Sequence, residues 1–100
     1  MNETQLSTTS ITKIVWDLEA WNDYCKFKTD GEKKTVTKID RLISDILKNG
    51  LETGLGKPER LKYDLNSLFS REISGPDRLV YYQKDDALMI VQCKTHYDKV

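Results

Sequence analysis

Glu59, Arg78 and the adjacent pair His96 and Tyr97 are the residues of this chain whose types suit the cleavage of RNA. Lys57 and Lys62 accompany Glu59 in and just after a glycine-rich loop, and Arg71 stands on the next predicted strand. To break an RNA phosphodiester through its own ribose, the 2′-hydroxyl must lose a proton, the phosphate must gather charge as it becomes five-coordinate, and the 5′-oxygen must gain a proton on leaving. A carboxylate and a histidine can divide the proton transfers. His96 is the single histidine and the side chain whose ordinary pKa lies nearest neutrality. Arginine can hold the phosphorane with paired donors, and a tyrosine beside it can stack on a base. The competing reading is ordinary solvated strand charge. With 32% of residues charged, composition alone favours that reading.

Other chemistries find little support. One histidine and two distant cysteines, Cys25 and Cys93, cannot assemble a zinc site, and no acidic run has calcium-loop spacing. Cys93 and His96 lie three apart on one predicted strand and point to opposite faces, a poor arrangement for a nucleophile and its base. Both cysteines read as small core residues. The segment GLETGLGKP (Gly50–Pro58) looks superficially like a phosphate loop. A Walker motif needs Gly six positions before the Lys and Ser or Thr after it, and those positions hold Leu51 and Pro58. No cofactor is expected.

The elements that must position these groups follow from periodicity. Residues 11–16 carry Ile11, Ile14, Val15 and Trp16 and read as a strand. Asp17 can cap a helix in which Leu18, Trp21, Tyr24 and Phe27 recur on one face. After Thr29-Asp30-Gly31, a second helical pattern runs through Val36, Ile39, Leu42, Ile43, Ile46 and Leu47 and stops at Lys48 and Gly50. Period two then takes over in Leu68–Ile73, Arg78–Lys84 and Ala87–Tyr97, with reversals at Gly75-Pro76-Asp77 and Asp85-Asp86. The prediction is an α+β domain of order β-αα-βββ, a twisted antiparallel sheet packed on one face by an N-terminal helical hairpin. It spans residues 11–100 behind a flexible polar leader, residues 1–10.

Composition sets limits on partners. Sixteen basic and sixteen acidic residues cancel, which argues against coating nucleic acid through bulk basicity. No apolar run approaches a membrane span, and two cysteines suit a reducing cytoplasm better than a disulfide scaffold. Strand register leaves one question open. If Asp85-Asp86 is a two-residue hairpin loop, Arg78 lies opposite Cys93 and shares a face with Tyr97. One extra residue or a bulge would put Arg78 and His96 on a common face instead.

Five segments together resemble a known family: WNDY (Trp21–Tyr24), GKPERLKYDL (Gly56–Leu65), SREI (Ser70–Ile73), DRLVYY (Asp77–Tyr82) and CKTHY (Cys93–Tyr97). In order and spacing they look like the YoeB/Txe toxins of the RelE superfamily, over residues 11–97. The resemblance implies a microbial-ribonuclease-like fold and a ribosome-dependent mRNA interferase, the toxin of a type II toxin–antitoxin pair. It implies Glu59 as general base, Arg78 as the phosphate stabiliser, His96 as general acid and Tyr97 as the residue that positions or stacks on substrate. Lys62 and Arg71 would be supporting phosphate contacts. The implied partners are a YefM/Axe-type antitoxin, the ribosome and mRNA, with a homodimer as the family's tendency. The rival is a ParE-like relative that inhibits a protein target such as gyrase without cutting RNA. Three features depart from the family's pattern: the leader, the tail Asp98-Lys99-Val100, and Glu72 where a second basic residue is expected after Arg71.

Overall fold

The computed structural model describes residues 10–61 and 67–94. The first nine residues of the expected leader, Lys62, His96, Tyr97 and the tail lie outside the described residues. The elements run β1 (Lys13–Trp16), α1 (Leu18–Thr29), α2 (Lys33–Asn49), β2 (Glu59–Arg60), β3 (Phe69–Ser74), β4 (Asp77–Lys84) and β5 (Ala87–Gln92). They form an α+β fold with a five-stranded sheet of order β1-β5-β4-β3-β2.

The antiparallel meander of the last three strands is as predicted, but the sheet as a whole is mixed. β1 pairs parallel to β5, Lys13 with Ala87 through Trp16 with Ile90. A parallel pair requires a long crossover, and the two helices supply it by carrying the chain across the sheet to its far edge. The short β2 adds a strand there, with Glu59 paired to Ser70 and Arg60 to Phe69.

The core lies between the helices and one face of the sheet. Phe69, Ile73, Leu79, Tyr81, Leu88 and Ile90 meet Ile39, Leu42, Ile43 and Ile46 of α2. The buried stripe of α1 is Ala20, Tyr24 and Phe27, an i, i+4, i+7 set, rather than the every-third set predicted. Leu18 is 72% exposed because it falls off that stripe. Ala20 is fully buried, and the thiol of buried Cys93 donates to its carbonyl at 3.4 Å. Cys25 is only half-buried, so the expectation of a core cysteine holds for Cys93 alone. Burial pushes the Cys93 thiol up to about 12, which keeps it protonated and unreactive. Asp17 occupies the cap position of α1 without a side-chain cap bond.

Candidate active-site face

Alternation along β3 and β4 separates two faces. Phe69, Arg71, Ile73, Leu79 and Tyr81 face the helices, and the residues between them face outward on the other side. Ser70, Glu72, Arg78 and Val80 therefore share the helix-free face, and β2 adds Glu59 to it through its pairing with Ser70. Glu72 stands directly opposite Arg78 in the β3–β4 ladder.

On this face Arg78 lies between two carboxylates. Its Nη1 is 3.9 Å from Glu59 Oε1 and its Nη2 is 3.6 Å from Glu72 Oε2. The other Glu72 oxygen, Oε1, is 3.8 Å from Lys57 Nζ. All three separations exceed hydrogen-bond length, so the charges are paired without being locked. The Glu59 side chain is 64% exposed and that of Arg78 29%: the carboxylate is open to a substrate and the guanidinium lies against the sheet. Ser70, only 1% exposed, forms the floor beside Glu59, and among the described residues its buried Oγ has no hydrogen-bond partner.

The register question is answered for the described part of β5. Lys84 pairs with Ala87 and Tyr81 with Ile90, but Val80 pairs with Gln92, so Val91 is an extra residue in a β-bulge. Beyond the bulge the alternation is shifted by one, and Gln92 shares the face of Val80 and Arg78. His96 and Tyr97 lie past Lys94, outside the described residues.

Arg71 is placed elsewhere. It faces the helices and is fully buried. Its Nε donates to Tyr81 Oη at 2.9 Å, its Nη1 to Asp45 Oδ2 at 2.6 Å and to the Leu55 carbonyl at 3.0 Å. Its Nη2 donates to the Gly50 carbonyl at 2.9 Å and the Thr53 carbonyl at 2.8 Å. All five N–H donors of a guanidinium are thereby engaged. The expected phosphate contact is corrected: a buried charge with a full set of partners cannot also reach a substrate phosphate from this position.

What Arg71 does is hold the loop that leads into β2. Tyr81 Oη donates to the Leu51 carbonyl at 2.6 Å, and the Leu55 N–H donates to Asp45 Oδ2 at 2.9 Å. The hydrogen bond from Arg71 is the main reason the Asp45 carboxyl lies below its ordinary pKa, with the Leu55 N–H second. Burial raises the Tyr81 phenol. The loop glycines serve this packing rather than a nucleotide. A Cβ on Gly56 would lie 2.7 Å from Leu42 Cδ2, and one on Gly54 would collide with the Asp45 carboxylate. Asp45 and Tyr81 are the functional supports that the sequence reading did not single out. Among the described residues, no group of three His, Cys, Asp or Glu side chains is placed to hold a metal ion.

Comparison with known proteins places this α+β chain among bacterial toxins of toxin–antitoxin systems. The family described as "YoeB-like toxin of bacterial type II toxin-antitoxin system" matches residues 16–97, and the chain belongs to it. Toxin YoeB of Escherichia coli is 42% identical over 85 residues, covering 85% of this chain and 99% of the relative. The YoeB dimer from Staphylococcus aureus superposes with a TM-score of 0.80 at 39% identity, covering 89% of this chain and all of that one. A YoeB–YefM toxin–antitoxin heterotetramer from the same species gives 0.77 at 40% identity, covering 87% and 98%.

Proposed function

We propose that this chain is a ribosome-dependent mRNA interferase that cleaves message in the ribosomal A site by general acid–base catalysis. The observation that carries the reading is the placement of Glu59 across from Arg78 on the open sheet face, at 3.9 Å. Glu59 takes the proton of the ribose 2′-hydroxyl, and the resulting oxygen attacks the adjacent phosphorus. Arg78 receives the charge that gathers on the phosphorane oxygens. His96 gives a proton to the departing 5′-oxygen, and Tyr97 positions the substrate by stacking. The P–O5′ bond breaks, leaving a 5′-hydroxyl on one fragment and a 2′,3′-cyclic phosphate, or the 3′-phosphate after hydrolysis, on the other. Lys62 supplies a supporting phosphate contact, whereas Arg71 acts by holding the loop before Glu59.

A 2′-deoxyribose at the target nucleotide tests this chemistry. Such a message should pass through a translation reaction uncut, and its cleavage would rule out attack by the 2′-oxygen. We further propose a cytoplasmic protein inhibited by a YefM-type antitoxin. The S. aureus complex supports that partnership, and the S. aureus dimer supports a homodimer. The chain's zero net charge supports delivery of mRNA by the ribosome rather than capture of free RNA.

A further inference from the structure

Among the described residues, Lys57 and Arg78 are the cations paired with Glu72, which sits between them. One of its oxygens is 3.6 Å from Arg78 and the other 3.8 Å from Lys57. With Glu59 beside Arg78, two cations and two carboxylates cancel at the place where a polyanion has to dock. Glu59 has work to do in the proposed reaction, and Glu72 has none. Yet the position of Glu72 is firmly set. It is directly opposite Arg78 in the ladder, and its backbone N–H donates to the Gly56 carbonyl at 2.7 Å. That bond ties the Glu72 backbone to the residue preceding Lys57. A carboxylate offering one oxygen to a guanidinium and the other to an ammonium presents the contacts that two non-bridging phosphate oxygens would present.

We infer that Glu72 is an electrostatic placeholder: in the free protein it occupies Arg78 and Lys57 in place of the RNA phosphate, and substrate displaces it. This rests on the reading of Arg78 as the phosphate ligand. Displacement is physically open to it, since its side chain is 40% exposed and both ion-pair distances are longer than hydrogen bonds. The consequence is selectivity by concentration. Free RNA competes poorly with a carboxylate already in place, whereas mRNA held beside the site by the ribosome has a high effective concentration and displaces it.

The test is binding of a short single-stranded RNA with one 2′-deoxyribose at the target position, read by fluorescence anisotropy between about 50 and about 300 mM salt. Glu72→Gln keeps the shape and removes the charge. It should bind roughly tenfold more tightly than the parent chain, with a salt slope steeper by about 0.7, the value for one further phosphate contact on a single strand. In a Lys57→Ala/Arg78→Ala background the same substitution should change neither quantity. Unchanged or weaker binding by Glu72→Gln would overturn the inference. So would an equal gain in the double-alanine background, which would reduce the effect to general charge. Binding here is read without cleavage, so a parent chain that fails to cut mRNA during translation would contradict the catalytic reading separately from the anisotropy result.

Discussion

Arg71 in β3 reaches Asp45 in α2 at 2.6 Å, and this pair joins the sheet to the helix at the point where the glycine-rich loop crosses between them. Arg71 is fully buried and also holds the Gly50, Thr53 and Leu55 carbonyls, so the pair fixes the loop that leads to Glu59. An alanine-scan effect at Arg71 would be misread as lost RNA contact unless stability were measured alongside.

Arg71→Met should therefore destabilise the fold by about 1–3 kcal/mol or more, since it strips the donors from the Gly50, Thr53 and Leu55 carbonyls that the buried guanidinium satisfies. Urea denaturation should show the loss directly, and cleavage should fall with the folded fraction. A variant with an unchanged denaturation midpoint and a selectively weakened RNA affinity would return Arg71 to the substrate.

Asp45 makes the fold acid-sensitive in a definable window. Its carboxyl lies below its ordinary value of 3.8 in the folded chain, so folding is favoured by its ionised form. The stabilisation is complete above 3.8, fades as pH falls below that through the folded-state value, and is indifferent to alkaline pH. Asp86 is shifted in the same direction, chiefly by the hydroxyl of Thr12. Urea midpoints for the parent chain and Asp45→Asn, taken between about pH 2 and about pH 6, separate the two. The difference between the proteins should shrink toward the acid end, and a difference that stayed constant would refute the linkage.

Ser70 offers the opposite sign. Its buried Oγ has no partner among the described residues, and an unsatisfied buried hydroxyl costs about 1–3 kcal/mol. Ser70→Ala should raise stability by about 1 kcal/mol, measurable as a higher thermal midpoint. A lower midpoint would mean that the hydroxyl is satisfied in solution.

How much of this was legible beforehand depends on the range of the interaction. The two helices, the Gly50 stop and the hairpin at Asp85-Asp86 were readable because local periodicity and turn chemistry determine them. The parallel pairing of β1 was not, since it joins residues 74 apart and no local pattern encodes it. The bulge at Val91 was open for the same reason: nothing in ALMIVQ marks which residue is skipped. Arg71 was readable in principle. In FSREIS it alternates with Phe69 and Ile73 and so belongs to their inward face. Charge alone argues the other way, for an outward position. Asp45 also gave a signal, an acidic residue near the C-terminal end of α2, where the helix dipole disfavours it. The bond to Arg71 explains its presence there. Glu59 and Arg78 were named from chemistry and family pattern, and the β2–β3–β4 register brings them together through contacts that no single segment reveals.

The most direct test of the account is primer extension on mRNA from an in vitro translation reaction containing the purified chain. Discrete new 5′ ends should appear with the parent protein. They should vanish with Arg78→Ala, a substitution that removes the phosphate stabiliser from an outward-facing position and should leave the helix-side core packed. New ends that persist undiminished in a folded Arg78→Ala protein would contradict the assignment of Arg78. Growth inhibition by the parent protein with no new mRNA ends would contradict the ribonuclease reading and favour a protein target.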